Sequence, residues 1–101
     1  MLDLEYFKCQ IEDELEGAMQ YAQYALETKS KHSDWSKMFV EMGNAEIQHA
    51  DDLWKMFEEY YNSITEAYRE VPQNFKDTYD CVISYYTENR AKAKYMLSLV
   101  G

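Results

Sequence analysis

The sequence predicts an all-α protein of three antiparallel helices, and three observations carry that expectation. Its 101 residues, one domain's length, include only three Gly and one Pro, too little turn punctuation for a sandwich or barrel with a turn about every ten residues. Apolar residues recur at three- and four-residue steps along most of the chain, the period of a helix with one buried face. A hydrophobic content of 47%, with 16% aromatic, is too high for a disordered chain, even at a net charge of −9.

Helix one is expected from Leu4 to about Thr28, with Leu4, Phe7, Ile11, Ala18, Tyr21 and Ala25 as its stripe and Leu15, Met19 and Leu26 widening it. The polar, basic run Thr28 to Asp34 reads as a hairpin connection in which Ser33 or Asp34 caps the next helix. Helix two is expected to carry Trp35, Met38, Phe39, Met42, Ala45, Leu53, Met56, Phe57 and Tyr60 on its buried face. It continues through Ile64 and Tyr68 until Pro72 forces a stop, unless Asn62-Ser63 breaks it earlier. In helix three the stripe resumes as Phe75, Tyr79, Val82, Tyr86, Ala93, Met96, Leu97 and Val100, with Tyr85, Tyr95 and Leu99 on a flanking face. That breadth of apolar surface calls for neighbours on two sides, and three such helices enclose only a thin core. A dimer completing a larger bundle is therefore expected.

Ten basic residues against nineteen acidic ones give a field that repels phosphate backbones and anionic lipid, so no nucleic-acid or membrane partner is expected. Gly17 to Leu26, the longest front stretch without charge, is about half the ~20 residues of a membrane span. The start, Met1-Leu2-Asp3-Leu4-Glu5, lacks the basic region of a secretory signal, which points to a cytoplasmic protein. Cys9 and Cys81 stand alone without a C-x-x-C pair and read as reduced, part-buried thiols.

Three polar residues fall in registers reserved for the core. The helix-one stripe, followed through Phe7, Ile11, Glu14, Ala18 and Tyr21, turns Glu14 inward; the helix-two stripe through Phe39, Met42, Glu46, His49 and Leu53 does the same for Glu46 and His49. Unpaired buried carboxylates cost several kcal/mol, and no Lys or Arg occupies either stripe at that level. A divalent metal removes the difficulty, because carboxylate oxygens and a neutral imidazole are its ordinary ligands and an i, i+3 Glu/His pair projects toward one point.

On these residues the chain resembles the ferritin-like superfamily, bacterioferritin and rubrerythrin in particular. Glu14-Leu15-Glu16-Gly17-Ala18-Met19-Gln20-Tyr21 is similar to the first-helix pattern E-L-x-x-A-x-Q-Y of bacterioferritins and to the rubrerythrin pattern E-x-x-A-x-x-x-Y with Gly17 for Ala. Glu46-Ile47-Gln48-His49-Ala50-Asp51 is similar to their second-helix E-x-x-H-A-D. The resemblance covers residues 4 to 60 well and 75 to 99 loosely.

It implies a site of two iron ions, or manganese in their place, with Glu14, Glu46 and His49 as ligands and Fe(II) oxidation by dioxygen or peroxide as the activity. Tyr21 becomes a hydroxyl beside the metal, with Gln20 a lesser candidate; the plain alternative for Tyr21 is a core aromatic. Relatives of this kind have four helices, the third giving a Glu and the fourth a second E-x-x-H, whereas this chain stops after three. Glu88, in the repeat of E-x-x-A-x-x-x-Y from Glu88 to Tyr95, is either the third-helix ligand or a solvated partner of Lys92. Two assemblies restore a full site: a twofold dimer that pools two copies of Glu14, Glu46 and His49, or one chain using Glu88 as well.

The remaining polar residues read more simply. His32 is taken as solvated; Glu12, Asp13, Glu16, Asp51-Asp52 and Glu58-Glu59 as exposed charge. Glu16 takes Glu14's place only if the helix is rotated. A reading from another class also fits the size and charge. In it the chain is a small acidic helical protein-interaction module, as inhibitor, nucleic-acid mimic or assembly subunit, whose three inward polar groups are a protonated relic of a metal site.

Overall fold

The computed structural model describes residues 3–101. Met1 and Leu2, on which the reading of the chain's start partly rests, lie outside the described residues. The fold is all-helical: α1 spans Leu4–Thr28, α2 Ser33–Ala67 and α3 Gln73–Ser98, with no strand among the described residues. None of these helices is long and apolar enough to cross a membrane.

Local chemistry sets the boundaries. Asp3 caps α1, its carboxylate accepting from the Tyr6 N–H at 2.9 Å, one of the donors a helix start leaves unpaired. The expected cap by Ser33 or Asp34 is not formed. Both lie inside the first turn of α2, and His32 in the cap position makes no side-chain bond. Asn62 and Ser63 do not break α2, because their polar side chains sit exposed on a helix whose other face is held by its neighbours. It ends at Ala67, short of Pro72, with Tyr68 already extended. The Pro72 carbonyl then accepts the Phe75 and Lys76 N–H groups as α3 begins.

Residues that rise along α1 meet residues that fall along α2: Phe7 with Phe57 and Tyr60, Glu14 with His49, Ala25 with Ser36. Along α2 and α3, Gly43 lies beside Leu97, Asp51 pairs with Arg90, and Tyr61 stacks on Tyr79. Both α1 and α2 touch α3, which accordingly has two neighbours. The α2 helix, 35 residues long, accounts for most of the molecule's 58 Å long axis at about 1.5 Å per residue.

The core follows the expected stripe on α1, where Phe7, Ile11, Leu15, Ala18 and Ala25 are buried, and on α3, where Val82, Ala93 and Leu97 are. On α2 Phe57 is buried and Leu53 and Tyr60 pack against the core as expected, but the core line as a whole differs from the expected one. It runs through Ser36, Gly43, Ile47, Ala50 and Phe57, one residue or about 100° round the helix from Trp35, Met42 and Met56. Trp35 is 49%, Met38 60%, Met42 44% and Met56 47% exposed. Small residues take the inner line because the helices approach closely there: a Cβ on Gly43 would meet Leu97 Cδ2 at 2.8 Å. The buried Ser36 hydroxyl is satisfied by the Ala25 carbonyl at 2.7 Å. Cys9 and Cys81 are exposed free thiols rather than part-buried ones.

Asp51 also departs from its expected place among exposed charges. Arg90 donates to both its oxygens, at 2.7 and 2.9 Å, and the Tyr86 hydroxyl donates to it at 2.5 Å. The paired guanidinium, with the Tyr86 hydroxyl, holds the Asp51 carboxyl below its usual range despite burial. Burial and the hydrogen bond to Asp51 push the Tyr86 phenol up to about 12. Residues two apart on α2 thus do different work, Asp51 tying α3 on while His49 turns to the other side.

Candidate metal centre

Glu14 comes from the middle of α1, and Glu46 and His49 from adjacent turns of α2. Each of the three offers one ligand atom, and these atoms all lie within 4.8 Å of one another. His49 Nδ1 is 3.5 Å from Glu14 Oε2. Glu14 Oε2 is itself shut off from solvent and has no hydrogen-bond partner, an arrangement that native structures seldom leave uncompensated.

Burial pushes the Glu46 carboxyl up to about 7 from 4.5, assisted by its contact with Glu14 and the repulsion between the two carboxylates; His49 pulls the other way. The charged groups acting on Glu46 are therefore a second acid and an imidazole, with no Lys or Arg among them. A set of two hard oxygens and one nitrogen, close together and short of positive charge, fits a divalent first-row cation.

The depth of the site differs from the expected dry interior. Glu14 and Glu46 are half-buried, but the His49 side chain is 58% exposed. The cause is the rotation of α2: the line carrying Glu46 and His49 is the line of Trp35, Met42 and Met56, which α3 does not cover. Tyr21, half-buried on the same stripe of α1 as Glu14, stacks on Phe39 at 6.2 Å, the place of a packed aromatic. Gln20, Glu16 and Glu88 are exposed, and Glu88 does not join the three convergent residues. His32 stacks on Trp35 at 3.9 Å, away from the cluster.

Gly17 is a contributor that the residue patterns alone did not single out. A Cβ at this position would sit 3.3 Å from Glu46 Oε2 and 3.4 Å from its Cδ, so the missing side chain is what lets Glu46 lie against α1. The available signal was a lone glycine inside a helical pattern, which marks a close approach as often as a weak point. Replacing it with alanine is expected to stabilise the metal-free protein by up to about 1 kcal/mol in a thermal melt, since Gly is a poor helix former. The same change should weaken Mn(II) binding severalfold by displacing Glu46. Unchanged Mn(II) affinity in Gly17→Ala would show that this approach does not set the position of Glu46.

No family model, curated protein or solved structure matches this chain.

Proposed function

We propose that the chain is a ferritin-like metal-binding protein, an antiparallel three-helix bundle whose Glu14, Glu46 and His49 hold iron, or manganese in its place. The observation that carries this reading is the unpartnered, buried Glu14 Oε2 at a point where a second carboxylate and an imidazole converge. When bound, iron would supply a one-electron redox couple, and the activity that follows is oxidation of Fe(II) by dioxygen or peroxide.

The residues divide the work by their chemistry. Glu14 and Glu46 bind through anionic oxygens, and binding displaces the proton that burial and Glu14 favour on Glu46. His49 offers an imidazole nitrogen from the exposed edge of the site. Gly17 keeps Glu46 in place.

The test is anaerobic loading with Fe(II), elemental analysis after desalting, and the rate at which chelatable Fe(II) disappears in air. The parent is expected to retain iron and consume Fe(II) faster than buffer; Glu14→Gln should retain little and consume Fe(II) at the buffer rate. A parent that retains no iron would favour the interaction-module reading, for which the exposed Trp35, Met38 and Met42 would be the contact surface.

A further inference from the structure

We infer that a second copy of this chain docks on the bare face of the α1/α2 hairpin, bringing its own Glu14, Glu46 and His49 against those of the first. The inference rests on the metal-binding reading and names the partner that completes the site.

Three observations point to a second copy as the occupant. The first is the donor set. One chain brings together three ligating side chains, and a facing copy adds no side chain per ion but lets a carboxylate, which has two oxygens, serve the ions of both copies. Two copies supply two lone Glu and two Glu-x-x-His pairs, the inventory of a two-metal carboxylate centre.

The second is placement. The exposed apolar side chains of α2 run from Trp35 through Met38 and Met42 to Met56, and Glu46 lies midway along that line. A twofold dimer that overlays the whole line on its mate must pass its axis through the middle, so the arrangement that buries the most apolar surface also juxtaposes the two sites. Half-buried Phe39 of α2 packs against the exposed Tyr24, which carries the face onto α1. Between Trp35 and Met56 it measures about 30 Å by 20 Å, taking 1.5 Å per residue and two helix diameters. That is roughly 600 Å² per copy, near the ~800 Å² of a standard interface.

The third is charge. The centre of this face is acidic and lacks a compensating cation, so two metal-free copies repel each other where they would touch. A divalent ion between them reverses the sign, and the association becomes metal-dependent. Binding and assembly are then one equilibrium.

Sedimentation velocity on the full chain, with and without Mn(II), reads this directly when paired with a Mn(II) titration. The parent is expected to be a monomer without metal and a dimer with it, binding one Mn(II) per chain. Met42→Glu puts a charge on the face without touching a ligand. It is expected to stay monomeric and to bind Mn(II) at least tenfold more weakly, with unchanged helix content by circular dichroism. Should that variant lose helix content, Met38→Glu, at a side chain 60% exposed, repeats the test. Tight Mn(II) binding by a parent that stays monomeric overturns the dimer while leaving the metal reading intact. A metal-free dimer whose Mn(II) affinity is indifferent to Met42→Glu overturns it as well, and a parent that binds no Mn(II) overturns both.

Discussion

Glu46→Gln is expected to bind Mn(II) or Fe(II) at least about 100-fold more weakly than the parent, because even residues that merely orient metal ligands cost 10–100-fold. The same substitution should stabilise the metal-free protein at neutral pH, an unusual pairing of effects. Glu46's carboxyl titrates at about 7 in the folded chain against 4.5 ordinarily. The folded state therefore holds the proton more tightly than the unfolded one, and stability falls as pH rises from about 4.5 to about 7. The amide has no proton to lose and keeps what the acid gives up. Because the group is only partly buried, solvent screening reduces the gain to about 1 kcal/mol. Thermal melts at pH 5 and pH 8, with and without Mn(II), separate the two effects: the metal-free variant should melt above the parent at pH 8, and Mn(II) should shift only the parent. A variant destabilised equally at both pH values would mean that Glu46 serves packing rather than cation binding.

Phe57→Ala carries the largest expected loss of stability. Phe57 is fully buried where all three helices meet, its ring centroid 6.0 Å from Phe7, 5.5 Å from Trp54 and 5.7 Å from Tyr79. Truncation removes the contacts and leaves a cavity that three other rings are too large and too constrained to fill, at a cost of about 3–5 kcal/mol. A single domain has about 5–15 kcal/mol in total, so the melting temperature should fall by about 15 °C or more. Urea titration at fixed pH measures the change; a loss below about 1 kcal/mol would show that the aromatic cluster collapses into the gap.

The stripes of α1 and α3 were legible in the sequence because the apolar residues at helical spacing, such as Phe7 and Ile11 on α1 and Val82 and Leu97 on α3, are the ones buried, although Tyr95 and Leu99 stay exposed. On α2 the same reasoning placed Leu53, Phe57 and Tyr60 against the core correctly but put Trp35, Met38, Met42 and Met56 on the wrong side. The helix is apolar on two sides, and periodicity gives the angle of a stripe but not which stripe lies inside. Trp35, Met38, Met42 and Met56 look like core and are exposed, whereas Ser36, Gly43 and Ala50 look unremarkable and are buried. Their small size is what close helix approach requires. The convergence of Glu14, Glu46 and His49 was nevertheless legible, since it depends on spacing along two facing helices and not on which side α3 covers. Its depth was not legible, for the same reason that the α2 face was not. Asp51 looked like one more surface acid because nothing in a local pattern reveals a partner as distant in sequence as Arg90.

The proposed function places a cation among these three side chains. Anomalous diffraction from crystals grown with Mn(II), recorded above and below the manganese edge, tests it most directly. A difference peak is expected at about 2.1–2.4 Å, between the oxygen distances of Mg²⁺ and Ca²⁺, from carboxylate oxygens of Glu14 and Glu46 and a ring nitrogen of His49. Crystals from saturating Mn(II) with no peak at those residues, or with manganese held only elsewhere on the acidic surface, would contradict it.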